Sequence, residues 1–97
     1  MIGLPSAELE LMRSVFRQHR TLEAVKLFGS RAKGTHSLRS DVDFALWGNL
    51  DRLTAEEIAA ELDELPLPYR YDVQPFESIK LPALRDHIDR VGIRVYP

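Results

Sequence analysis

The sequence predicts an α/β (α+β) fold, in which a small mixed β-sheet is flanked by helices. Short runs rich in β-branched and aromatic residues alternate with segments whose apolar residues recur at helical spacing, and Gly or Pro marks most boundaries. The resulting order α-β-α-β-α-β-α-β is typical of a sheet covered by helices. With 97 residues, 44% of them hydrophobic, we expect residues 1–97 to form a single domain around one modest core.

Glycine and polar capping residues define the elements of the N-terminal half. A helix is predicted over 6–20, and a strand over 24–28 that stops at Gly29. A short helical turn over 30–33 follows, and a second strand is predicted over 41–47. This arrangement places a Gly-Ser turn between a strand and a helix.

Proline and glycine also punctuate the C-terminal half. The predicted elements there are a helix opened by the capping box 54–57 and ended by Pro66, a strand over 70–76, a helix with Pro82 in its first turn and Gly92 as its stop, and a last strand over 93–96. Pro75 removes a backbone donor, so the third strand is expected to lie near a sheet edge or to end there.

Composition excludes several classes of protein. The absence of Cys rules out disulfides, thiolate zinc sites and thiol nucleophiles. The chain contains no apolar run of the ~18 residues that a membrane span needs, and its start is unlike a signal peptide, so a cytoplasmic protein without membrane contact is expected. The formal net charge of −2 provides no general attraction to nucleic acid.

Two acidic residues on the second predicted strand are candidate metal ligands. Asp41 and Asp43 are two residues apart, so in a strand they point to the same face. Carboxylate oxygens without His or Cys suit Mg²⁺ or Mn²⁺ and argue against zinc. An Asp-x-Asp pattern on its own is more often an exposed strand face, so further observations must support the metal site.

The Gly-Ser turn provides such support. Gly29 allows the backbone to approach a ligand closely, while Ser30 offers a hydroxyl and amides suited to phosphate. Arg31 and Lys33 add positive charge. A Gly-Ser pair alone favours a simple strand-to-helix turn capped by serine. The combination of a strand, Gly-Ser, ten intervening residues and Asp-x-Asp instead indicates a nucleotide site.

Asp72 is the third candidate carboxylate. It lies in an apolar strand, where an acidic residue is locally out of place. If that strand neighbours the strand of Asp43, the two carboxylates meet. The alternative interpretation is a strand-end charge paired with Arg70.

Together these residues resemble a known signature, that of the DNA polymerase beta-like nucleotidyltransferase superfamily. The run 29–34 and Ser40 before Asp41 are most similar to the prokaryotic minimal nucleotidyltransferases, the MntA-type antitoxins paired with HEPN proteins. The resemblance implies a polymerase beta-like palm and nucleotidyl transfer with two Mg²⁺ ions and ATP. It implies catalytic and metal-binding roles for Asp41, Asp43 and Asp72, and nucleotide binding by Gly29, Ser30, Arg31 and Lys33. Lys33 stands where arginine is frequent in that family.

The same resemblance implies an acceptor and a partner. AMP would pass from ATP to a tyrosine hydroxyl of a HEPN RNase toxin, and this AMPylation would silence the toxin. The two chains would form a hetero-oligomer. Two other functions stay open: a non-catalytic subunit that neutralises the partner by contact, and the catalytic half of an enzyme that nucleotidylates a small molecule. A nucleic-acid polymerase is disfavoured by length and charge.

Other residues with functional side chains are expected to be structural. His87 is placed at the surface or boundary of the last helix. Trp47 shares a strand face with Asp41 and Asp43, yet core packing is preferred to stacking on a nucleobase.

Overall fold

A computed structural model describes residues 3–97 and confirms the predicted order of elements. The helices are α1 (Ser6–Phe16), α2 (Ser30–Lys33), α3 (Arg52–Asp63) and α4 (Pro82–Val91), with a 3₁₀ turn at Phe76–Ser78. The strands are β1 (Leu22–Phe28), β2 (Val42–Gly48), β3 (Tyr71–Pro75) and β4 (Ile93–Tyr96). Within residues 3–97, each helix is too short or too polar to cross a membrane.

The four strands form one mixed sheet in the order β3-β2-β1-β4. β1 runs antiparallel to both of its neighbours, whereas β2 and β3 are parallel. The parallel pair is possible because α3 carries the chain back across the sheet between the two strands. β3 lies at the edge, as Pro75 predicted, because proline can replace a residue there without removing a ladder hydrogen bond.

Alternation along β2 divides the core between the two faces of the sheet. Val42, Phe44 and Leu46 belong to the larger cluster, which α1 and α3 cover. Ala45 belongs to the smaller cluster, which contains residues of the 3₁₀ turn and α4. Asp43 shares the face of Ala45 by the two-residue period of a strand, so the acidic side chains emerge beside α4.

The boundaries of α1 and α3 differ from the prediction, and α3 ends at Asp63, ahead of the predicted stop at Pro66. α1 ends at Phe16 rather than near residue 20, and the amides of residues 17–19 beyond it still donate backbone turn hydrogen bonds. α3 begins at Arg52, because Asp51 and not Thr54 is its N-cap: the Asp51 carboxylate accepts a 2.8 Å hydrogen bond from the Thr54 amide. The predicted capping box was therefore wrong by one turn.

Candidate active site

The turn between β1 and α2 has the conformation that its glycines predict. Gly29 has φ of +74° and Gly34 has φ of +79°, a region that side-chain-bearing residues avoid. The Gly29 carbonyl accepts hydrogen bonds from the amides of Ala32 and Lys33, at 3.2 and 3.1 Å. The first amides of a helix have no acceptor within it, so those of Ser30 and Arg31 are available to a ligand at this turn.

Asp43 lies at the centre of the site, where three segments meet. In the sheet register it stands opposite Phe28, the last residue of β1, and opposite Asp72 in β3. Its half-buried carboxylate packs against Gly29, where a Cβ would lie only 2.3 Å from Oδ2. The Gly-Ser turn therefore rests directly on the central carboxylate.

Asp72 and Asp41 flank Asp43 from two different elements. Asp72 is exposed on the edge strand, and one of its oxygens accepts a 3.1 Å hydrogen bond from Gln74 Nε2. Asp41 is exposed one residue before β2 begins. Among the ion pairs formed by residues 3–97, none joins Asp72 to Arg70, so the alternative interpretation of Asp72 finds no support.

The carboxylates affect one another electrostatically. Burial raises the pKa of Asp43 to about 6, and the negative charges of Asp72 and Asp41 contribute to the same shift. A group of like charges, one of them partly desolvated, favours either protonation or a bound cation. The site thus has the electrostatic character of a cation site.

The donor chemistry fits Mg²⁺, because all of the candidate ligands are hard carboxylate oxygens. Register places Asp43 and Asp72 side by side. Across the described range 3–97, however, no three His, Asp or Glu side chains already converge as a closed metal-binding group. The fold therefore brings the carboxylates to one edge without fixing all of them in a ligand cage.

The Arg31 side chain makes contacts within the protein, in place of the nucleotide contact that was predicted for it. Its guanidinium is almost fully buried and donates to three backbone carbonyls: Gly3 at 2.7 Å, Ser40 at 3.2 Å and Ser37 at 3.4 Å. It also stacks 4.8 Å from the Tyr69 ring. These contacts tie the N-terminus and the loop before β2 to α2, which indicates a structural role. Lys33, in contrast, is exposed at the end of the same helix.

His87 joins the site, although the sequence analysis expected it to be a surface or boundary residue of the last helix. The Gly29 amide donates a hydrogen bond to His87 Nε2 at 3.2 Å. The two residues are 58 positions apart, so no local pattern could have linked them. Only the packing of α4 against the end of β1 brings the imidazole to the turn.

Trp47 takes the packing role that the sequence favoured. Its ring stacks on Phe76 with centroids 4.6 Å apart, and Lys26 Nζ lies 5.6 Å from the ring centroid. These contacts fix the C-terminal end of β2, on the same sheet face that carries Asp43.

Comparison with solved structures supports the fold. A crystal structure of a toxin–antitoxin complex with AMP-PNP is 24% identical, with a TM-score of 0.74, over 92% of this chain and 72% of the other. The complex of a tri-AMPylated Shewanella oneidensis HEPN toxin with its MNT antitoxin is 20% identical, with a TM-score of 0.71, over 93% and 70% of the two chains. Identities this low show a shared fold.

A third structure is more similar in sequence. It is described as a minimal nucleotidyltransferase, with 27% identity and a TM-score of 0.72 over 90% of this chain and 88% of the other. No curated protein matches the chain. The family model "Polymerase beta, Nucleotidyltransferase" matches residues 10–97, a range that contains the Gly-Ser turn and all three acidic residues. The chain therefore belongs to the polymerase beta nucleotidyltransferase family of enzymes.

Proposed function

We propose that this domain is a Mg²⁺-dependent adenylyltransferase and an antitoxin, which moves AMP from ATP to a tyrosine hydroxyl of a HEPN-family RNase toxin. The observation that carries the proposal is the register of Asp43 with Asp72, directly beside the Gly29 turn. Two structural neighbours add support, since one holds AMP-PNP and another contains an AMPylated HEPN toxin.

The proposed reaction is a substitution at the α-phosphorus of ATP. The acceptor hydroxyl oxygen forms a bond to the α-phosphorus, and the bond from that phosphorus to the oxygen bridging to the β-phosphate breaks. Pyrophosphate leaves with that oxygen. Asp72, at the open edge of the sheet, takes the hydroxyl proton as general base.

Asp41, Asp43 and Asp72 would hold Mg²⁺, and the bound ion would neutralise charge on the α-phosphate and on the leaving pyrophosphate. Asp43 contributes most to positioning, because its carboxylate is fixed between the turn and the neighbouring strand. Its pKa of about 6 leaves it mainly ionised at neutral pH, as a metal ligand must be.

Ser30, the free amides of the turn and Lys33 would bind the outer phosphates. Ser30 begins α2 with its side chain partly accessible, and Lys33 brings a solvent-exposed ammonium to the end of that helix. Arg31 is left out of the phosphate ligands, because its donors already face backbone carbonyls. Holding the triphosphate beside the carboxylates supplies the positioning on which phosphoryl transfer depends.

The test is the intact mass of a HEPN-family protein that is co-expressed with this chain. We expect one or more added AMP masses with wild type and none with Asp43→Asn. Asp89→Asn, which makes the same change on the exposed face of α4, serves as the matched control and should transfer AMP like wild type.

The other two functions predict different results. A partner that binds and is neutralised without any added mass would point to neutralisation by contact alone. Transfer of radiolabel from the α-phosphate of ATP to a small product, with an unmodified partner, would point to a small-molecule acceptor. Equal AMP transfer by wild type and Asp43→Asn would contradict the proposed site.

A further inference from the structure

We infer that His87 is a positioning residue of the nucleotide site, which fixes the Gly29–Ser30 turn by accepting a hydrogen bond from the Gly29 amide. The inference rests on the proposed function, because the turn is the phosphate-binding element of that site. It extends the site to α4, an element that contributes none of the carboxylates.

The geometry of the contact defines the state of the imidazole. The Gly29 nitrogen donates to His87 Nε2 at 3.2 Å. Only a nitrogen with a free lone pair accepts a hydrogen bond, so the contact requires a neutral imidazole with its proton on Nδ1. In this state His87 adds no charge to the site, and its role is to hold the peptide group that precedes the turn.

The imidazole is itself held in place by packing. Its ring meets the ring of Phe28 edge-to-face, with centroids 6.2 Å apart and an interplanar angle of 78°. The next residue on α4, Ile88, is fully buried in the smaller core cluster. His87 is therefore a fixed acceptor, anchored on the same cluster that supports the end of β1.

Gly29 is restrained from two sides. Asp43 Oδ2 occupies the space where a Cβ would stand, and His87 accepts the amide hydrogen. The backbone at φ of +74° is accessible to glycine but is one of several conformations open to it. The His87 contact selects one orientation of the peptide between Phe28 and Gly29, and the orientation of the following Ser30 amide depends on it.

Packing and hydrogen bonding at this position can be separated by two substitutions. His87→Phe keeps an aromatic ring against Phe28 but offers no acceptor to the Gly29 amide. His87→Gln gives up the ring but keeps a carbonyl oxygen at a similar distance along the side chain. Asp89→Ala, on the exposed face of the same helix, is the matched control.

The experiment measures the dissociation constant of AMP-PNP with Mg²⁺ by calorimetry, together with amide hydrogen exchange of Gly29 by NMR and the melting temperature. We expect His87→Phe to weaken AMP-PNP binding by about 3- to 10-fold and to speed exchange at Gly29, the effect of losing one hydrogen bond. We expect His87→Gln and Asp89→Ala to bind within about 2-fold of wild type, which is below the effect of one such bond.

Two results would overturn the inference. The first is wild-type AMP-PNP affinity in His87→Phe. The second is a loss of affinity in His87→Gln that equals or exceeds the loss in His87→Phe, because the acceptor that glutamine keeps would then not sustain AMP-PNP binding. Failure of wild type itself to bind AMP-PNP would instead overturn the proposed function, and with it the nucleotide-binding role of the turn. Gly29 exchange would still report whether His87 holds the turn.

Discussion

Gly29 and Asp43 are in such close contact that a single methyl group on Gly29 would lie 2.3 Å from the Asp43 carboxylate oxygen. The turn that is proposed to hold the phosphates and the carboxylate that is proposed to hold the metal are therefore one packed unit. Glycine at this position serves two purposes, since it permits φ of +74° and leaves room for the carboxylate.

Gly29→Ala tests this contact, and Gly34→Ala is its matched control. Both glycines have positive φ, but a Cβ at Gly34 meets no atom within 4 Å. We expect Gly34→Ala, in the left-handed helical region, to lose about 1 kcal/mol from backbone strain. Gly29→Ala should lose more, because φ of +74° with ψ of −155° is a conformation that essentially only glycine adopts. It should lose AMP transfer as well, because Asp43 must move. Urea unfolding and a transfer assay measure the two effects. Equal activity of the two variants would contradict the contact.

Asp43→Asn is expected to stabilise the metal-free protein at pH 7.5. The folded pKa of about 6 exceeds that of an ordinary aspartate, so the folded state binds more protons between about pH 4 and pH 6. Stability therefore falls as pH rises through this window. The full shift corresponds to about 3 kcal/mol, which solvent around the half-exposed carboxylate reduces to about 1 kcal/mol.

The measurement is the melting temperature of wild type and Asp43→Asn at pH 7.5 and at pH 4. The gain from the substitution should be present at pH 7.5 and absent at pH 4, where the aspartate is protonated. Mg²⁺ at pH 7.5 should raise the melting temperature of wild type more than that of the variant. A gain of equal size at both pH values would show that Asp43 is not destabilised by its charge.

Arg31→Met should lower stability, whereas Lys33→Met should weaken ATP binding. Arg31→Met leaves the carbonyls of Gly3, Ser37 and Ser40 without their buried donor, so we expect a loss of about 2–3 kcal/mol in the free energy of unfolding. Lys33→Met should change stability by less than about 0.5 kcal/mol but weaken ATP binding several-fold. Urea unfolding and ATP titration distinguish them, and an unchanged stability of Arg31→Met would contradict its structural role.

Asp51→Ala should destabilise α3, whereas Thr54→Ala should leave it close to wild type. The Thr54 amide lowers the pKa of the Asp51 carboxyl by donating to it, so the charged form is the stabilising one. The difference in melting temperature should be present at pH 6 and shrink as the pH falls below about 3.9, the ordinary pKa of aspartate. A larger effect of Thr54→Ala would restore the predicted capping box.

Much of the fold could be predicted because its signals are local. Gly29, Gly34 and Pro82 each restrict the backbone at the position they occupy, and the structure confirms an element boundary at all three. The start of α3 was missed because Asp51 and Thr54 are both good N-cap residues. Sequence spacing alone does not choose between two such candidates one turn apart.

The site was less predictable where it depends on distant contacts. Asp43 and Asp72 were grouped correctly on condition that their strands were neighbours, and the parallel register satisfies that condition. Arg31 sits next to Ser30 in sequence, but the carbonyls that bind its side chain come from the N-terminus and from the loop before β2. His87 reaches Gly29 only through the packing of α4, which no sequence pattern specifies.

The position of β3 at the edge of the sheet has a consequence for the size of the proposed acceptor. Asp72 is exposed on a strand that has a neighbour on one side only. A hydroxyl carried on the convex surface of a folded macromolecule can therefore approach this carboxylate from the side, without entering a cavity. If Asp72 acts as proposed, tolerance of a bulky acceptor follows from strand order, and a domain of 97 residues does not have to enclose the proposed second substrate.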